Sequence, residues 1–141
     1  MSRPYSIAII AGLLTLSPFA IAAPMQPGLW EMAMTVTIEG RVETVPAGSA
    51  CVMQKDIDDP IKTLPRPAGE CTLTNVQRTA DRATYDLVCK DNVITSQGHA
   101  DIALSGDRYV GKVTLTLQGK QGTGTPFELG INAKRLGDCT R

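Results

Sequence analysis

The 141-residue chain is short of several things, and each shortage removes a class of function. It has no charge excess: 14 Lys+Arg stand against 14 Asp+Glu. A nucleic-acid partner needs a basic surplus to neutralise phosphates, so none is expected. It has one histidine, His99, and no C-x-x-C pair. A dithiol redox centre or a zinc knuckle is therefore not indicated. Aromatic residues make up only 4%, as 2 Phe, 3 Tyr and 1 Trp, so large rings cannot fill a core alone. Beyond residue 22 no apolar run approaches the roughly 20 residues of a membrane-spanning helix. There is no internal repeat, no low-complexity tract and no long run of like charge.

The first 22 residues read as an export signal. Arg3 supplies the positive start, Ile7–Leu14 the apolar centre, and Pro18 breaks the run. Ala20-Ile21-Ala22 is the small-x-small pattern that a signal peptidase reads. A cut after Ala22 leaves residues 23–141 as one β-rich domain, with 13 Lys+Arg against 14 Asp+Glu. That length suits a single domain with its own core.

Cys51, Cys71, Cys89 and Cys139 all fall in the exported part. An even cysteine count in an oxidising compartment indicates disulfides ahead of metal or catalysis. The spacings of 20, 18 and 50 residues resemble no metal knuckle.

Strict alternation marks the strands. In Gly28–Ile38, Trp30, Met32, Met34, Val36 and Ile38 share one face, and Glu31, Ala33, Thr35 and Thr37 the other. After Gly40, Arg41–Val45 resumes, Pro46-Ala47-Gly48 interrupts, and Ser49–Val52 completes an edge. Residues 53–64 change character: Asp56, Asp58, Asp59 and Pro60 suit a helix start. Pro65–Gly69 is a rigid surface connection. Cys71–Arg78 and Arg82–Lys90 form a hairpin. If Cys71 faces Cys89, then Leu73 faces Leu87, Asn75 faces Tyr85 and Val76 faces Thr84. This register favours a Cys71–Cys89 bridge and leaves Cys51–Cys139, with the two other connectivities still open. A second hairpin turns at Ser105–Arg108 and sets Leu104 opposite Tyr109, Ile102 opposite Gly111, Ala100 opposite Val113 and Gly98 opposite Leu115. Phe127, Leu129, Ile131 and Ala133 line one face of the last strand. The expected fold is all-β: an antiparallel meander of seven to eight strands, curled into a barrel or half-barrel, with a short helical segment near 53–64.

Pro27-Gly28-Leu29-Trp30-Glu31 near the start and Lys134-Arg135-Leu136-Gly137-Asp138-Cys139 at the end are distinctive together. Between them lie a Leu-Pro-x-Pro segment and Ser-Gly-Asp-x-Tyr-x-Gly at Ser105–Gly111. The chain resembles a family of small exported proteins of Gram-negative bacteria known as a domain of unknown function. The resemblance spans essentially the whole exported part. It implies a periplasmic address and a single β-rich domain, and it transfers no activity, cofactor or catalytic residue.

Five functional readings follow. Trp30, Met32, Met34, Tyr85, Tyr109 and Phe127 are candidates to line a pocket for a small apolar ligand. Met25, Met32, Met34 and Met53, with His99, are soft candidates for cuprous ion, although core packing also accounts for Met32 and Met34. Ser105–Tyr109 faintly resembles a loop of periplasmic lysozyme inhibitors, but it also reads as an ordinary turn. A hydrolase would need His99 beside Asp101 and a hydroxyl from Ser96 or Ser105, and no nucleophile elbow is present. Calcium at Asp56, Asp58 and Asp59 lacks EF-hand spacing. The expectation is a non-enzymatic periplasmic binding or interaction module with no cofactor, its partner a small apolar ligand or an envelope protein.

Overall fold

The computed structural model describes residues 24–59, 61–67, 69–92, 94–119 and 124–140. The expected export signal, residues 1–22, lies outside them. Among the described residues seven strands form one antiparallel sheet: β1 (Gly28–Ile38), β2 (Arg41–Val52), β3 (Glu70–Arg78), β4 (Arg82–Lys90), β5 (Thr95–Ser105), β6 (Arg108–Gln118) and β7 (Gly124–Gly137). One short helix, α1 (Gln54–Ile57), follows β2.

The strand order is β2-β1-β7-β6-β5-β4-β3. Consecutive strands are neighbours everywhere except at one break, because β1 also pairs with β7 and so leaves β2 and β3 as the two edges. The sheet is thus an up-and-down barrel left open between β2 and β3. The chain itself crosses the opening, since residues 53–69 must run from one edge to the other.

Turn chemistry sets the hairpins. Glu39 and Gly40, at φ 49° and 78°, make the two-residue turn from β1 to β2, and Ile38 pairs with Arg41 across it. Between β5 and β6 the pairing runs Leu104–Tyr109, Ile102–Gly111, Ala100–Val113 and Gly98–Leu115, as the alternation predicts.

The helix starts at Met53 and Gln54, with Asp58 at its end and not at its start. Among the strands two details depart from the sequence reading, and both are bulges. Cys71 does face Cys89, and Leu73 faces Leu87, but Asn75 does not face Tyr85. The register slips between Thr74 and Gln77, so Asn75 and Val76 together oppose Tyr85. Asn75 takes the left-handed conformation at φ 51°, which its short polar side chain tolerates, and Gln77 rather than Val76 meets Thr84. Likewise Pro46-Ala47-Gly48 does not end a strand. Met32 pairs with Gly48 and Met34 with Val45, so β2 bulges at Pro46 and Ala47 and continues. Each edge strand therefore carries one extra residue, which disrupts the flat template that strand-to-strand aggregation needs.

The concave face holds the core. Cross-strand rows alternate large and small residues: Leu87–Gly98–Leu115, Ala83–Ile102–Gly111–Ile131, and Tyr85–Ala100–Val113–Leu129. Tyr85, Leu87, Ile102, Leu115 and Val113 are the largest fully buried side chains. A Cβ on Gly98 would overlap the Thr114 carbonyl, and one on Gly111 would overlap that of Asp101. These two glycines let the backbones close up where the sheet curls.

The convex face carries cross-strand ion pairs beside exposed Val88 and Val110. Arg82 pairs with Asp101, Lys112 with Glu128 at 3.1 Å, and Lys134 with Glu31 at 3.3 Å. Exposed pairs of this kind add little stability each.

Candidate functional site

The crossing segment builds one wall of a groove. Leu64 and Pro65 are buried against the sheet. The Tyr85 hydroxyl donates to the Pro65 carbonyl, and Arg78 Nη1 donates to Thr63 Oγ1 at 3.1 Å. Burial pushes the Tyr85 and Tyr109 phenols up, with burial the leading cause for both. Both disulfides stand at the feet of this segment. Cys51, just before it, bonds Cys139, and Cys71, just after it, bonds Cys89. No cysteine is free among the described residues.

Beneath the segment the concave face is not filled. One lobe, of about 430 Å³, has an apolar lining of Met25, Met32, Met34, Val52, Leu64 and Tyr109. Asp56, Lys62, Thr63 and Arg66 of the crossing segment add its polar side. A second lobe, of about 380 Å³, is lined by Trp30, Pro46, Gly48, Ser49 and Ala50. It shares Met32, Met34, Val52 and Tyr109 with the first. The physical origin is the composition of β2: Gly48 faces Met32 and Ala50 faces Trp30, so the inner side of this edge carries almost no bulk. A Cβ on Gly48 would meet no atom within 4 Å.

The charges at the first lobe are unequal. Lys62 and Asp56 form an ion pair, and the Lys62 ammonium, helped by the Met53 backbone N–H, holds the Asp56 carboxyl below the usual carboxylate range. Arg66 is exposed and makes no ion pair or hydrogen bond among the described residues.

Of the six pocket candidates, Trp30, Met32, Met34 and Tyr109 line the groove. Trp30 is 3% exposed and stacks on Tyr109 with ring centroids 5.5 Å apart. Tyr85 is buried beneath Pro65 and serves as an anchor. Phe127 packs at the far end of its row, beside Leu115 and Ile38. Sequence reasoning missed Gly48, Ala50, Leu64 and Arg66; small residues clustered on one edge strand were the available signal.

The remaining candidates fall into local roles. Met25, Met32 and Met34 share a lobe, while Met53 is exposed at the foot of the crossing segment and lines neither lobe. His99 lies on the convex face, where Nδ1 is 2.7 Å from Asp86 Oδ1. Asn75 Nδ2 donates to the same carboxylate at 2.7 Å and, ahead of His99, holds Asp86 below the usual range. Asp101 is held by Arg82, and buried Ser96 lies on the opposite face from His99. Ser105 Oγ donates to the Arg108 carbonyl inside its turn. His99, Asp101, Ser96 and Ser105 are thus not gathered into one cleft. Asp58 Oδ1 accepts from Gln54 Nε2 at 2.8 Å and Asp59 Oδ1 from Ile61 N at 2.9 Å. Among the described residues no group of three His, Cys, Asp or Glu is placed to hold a metal ion. No helix there is long and apolar enough to cross a membrane.

The two terminal motifs meet at one end of the sheet. Leu29 pairs with Gly137 and Trp30 with Arg135. Gly28, at φ 147°, leaves room that a Cβ would take from the Gly137 carbonyl and the Arg135 guanidinium. Arg135 Nε donates to the Pro27 carbonyl at 2.8 Å, and its backbone N–H donates to the Asp107 carbonyl at 2.8 Å. Trp30 Nε1 donates to the Gln26 carbonyl, and Gln26 N–H to the Gly106 carbonyl, both at 3.0 Å. The Ser105–Arg108 turn is thereby clamped on two sides and does not project as a free finger. These motifs are a clasp that seats Trp30 and Tyr109 at the groove.

No curated protein and no solved structure matches the chain. One family model does, over residues 25–139, from the first methionine of the groove to the last cysteine. The chain belongs to the family described as protein of unknown function (DUF3617).

Proposed function

We propose that this chain is an exported, non-enzymatic binding protein of the periplasm that carries a small apolar ligand in its concave groove. One observation carries the reading. Across β4 to β7 the concave face is filled by buried side chains such as Tyr85, Leu87, Ile102, Val113 and Leu115, yet at Met32, Met34, Val52 and Tyr109 two lobes that share these four residues stay open. Their volumes fall within the roughly 300–1,000 Å³ range of small-molecule sites. Methionine is a suitable floor, because its flexible thioether adapts to varied apolar shapes.

The test is a filling substitution. Gly48→Phe introduces a ring at the lining of the second lobe, from a position where the added Cβ meets no atom within 4 Å. Titration with the apolar fluorophore N-phenyl-1-naphthylamine should show saturable binding to the natural protein. In Gly48→Phe the affinity should fall by about tenfold or more, a loss of about 1.4 kcal/mol. The urea midpoint should stay nearly unchanged. Equal affinity in both proteins, or binding to neither, contradicts the proposal.

A further inference from the structure

We propose that the groove is built for a single-chain apolar carboxylate, held with its head at Arg66 and its chain running over Met32 and Met34 toward Trp30. This rests on the groove reading above and names its substrate class.

The argument is one of charge and direction. The first lobe contains three charged residues, Asp56, Lys62 and Arg66. Asp56 and Lys62 neutralise each other. Arg66 is left with an uncompensated positive charge at the mouth, and no hydrogen bond among the described residues occupies its guanidinium. A guanidinium presents a planar fork of donors that matches a carboxylate with two parallel hydrogen bonds. One unpaired cation matches one monoanionic head. A cationic head is repelled there.

The second lobe fixes the direction. None of its lining residues is charged. A head buried at that end would lose its hydration without a partner, which is costly. Only an apolar tail suits it. The lobes share Met32, Met34, Val52 and Tyr109, so an unbranched chain laid over these four residues has apolar surroundings toward both lobes. Arg66 stands on the crossing segment between Pro65 and Pro67, and Pro65 is itself tied to Tyr85. The cation is thus mounted on a restrained backbone, which lowers the entropy cost of holding a head group.

The experiment compares dodecanoate, 1-dodecanol and dodecylamine by calorimetric titration at neutral pH, on the full exported chain with both disulfides formed. Dodecanoate should bind about tenfold tighter than dodecanol, the increment expected of one charge-assisted pair. Dodecylamine should bind weakest. Arg66→Ala should bring the dodecanoate-to-dodecanol ratio close to one, and Arg66→Glu should place dodecylamine ahead of dodecanoate. Arg66 is exposed, so both variants should keep the urea midpoint of the natural protein. Equal binding of dodecanoate and dodecanol, or a preference that survives Arg66→Ala, overturns the head-group assignment. Loss of the preference in Lys62→Ala but not in Arg66→Ala overturns it as well. Failure of the groove reading itself looks different: none of the three chains binds.

Discussion

Replacing Cys51 and Cys139 together by alanine should lower the unfolding free energy by about 4–5 kcal/mol. The bridge closes a sequence separation of 88 residues, against 18 for Cys71–Cys89. On chain entropy alone the shorter loop is worth about 3 kcal/mol. A domain of this size has about 5–15 kcal/mol in total, so the longer bridge is a large share of it. Its position explains why. Leu29 pairs with Cys51 on one side and Gly137 on the other, so the bridge spans the start of β1 from the edge strand to the end of β7. It also fixes one foot of the segment that roofs the groove. Urea unfolding of the two double-alanine proteins gives the comparison. A larger loss for Cys71/Cys89 than for Cys51/Cys139 would contradict this ordering.

The second large effect is expected at the curl of the sheet. Gly98→Val and Gly111→Val should each cost about 3 kcal/mol or more, the upper range for overpacking. At both sites the colliding atoms are backbone, Thr114 for Gly98 and Asp101 with Ile102 for Gly111. Backbone within a paired strand cannot turn aside as a side-chain tip can. Each glycine also sits between large neighbours in its row, Leu87 and Leu115 or Ile102 and Ile131. Gly48→Ala is the internal control. Its added Cβ meets nothing, and its unfolding free energy should stay within about 0.5 kcal/mol of the natural protein. Similar losses at all three positions would mean that the curl does not depend on the close approach at Gly98 and Gly111.

Local pattern made most of the fold legible. Alternation in Gly28–Ile38 and Phe127–Ala133 marked the strands and their inner faces, and the β5–β6 register followed from one turn. Setting Cys71 against Cys89 favoured the pairing that the structure holds, although the register alone left the two other connectivities open. Two things were hidden. Bulges at Asn75–Val76 and at Pro46–Ala47 each add one residue, and a period-two reading cannot see an extra residue until the strands are paired. The partnership of β1 with β7 is the other. It joins residues about a hundred positions apart, and no local signal orders strands at that distance. The groove depends on that closure. The sequence already suggested an edge at Ser49–Val52, but only the pairing with β1 sets Gly48 and Ala50 as a bare wall beside Met32 and Trp30. Tyr85 looked like a pocket residue for the same reason: its inward face was readable, but the Pro65 carbonyl that caps it was not.

The central claim is that the concave groove accepts an apolar chain, and the single tryptophan offers a direct reading. Trp30 is the only indole in the chain and lines the second lobe. Dodecanoate carrying bromine on its terminal carbon quenches an indole only on close approach. Titrating this probe into the natural protein should quench Trp30 saturably at a one-to-one ratio, and Gly48→Phe should abolish the saturable part. Quenching that rises linearly without saturation, or that is equal in the two proteins, would contradict the account.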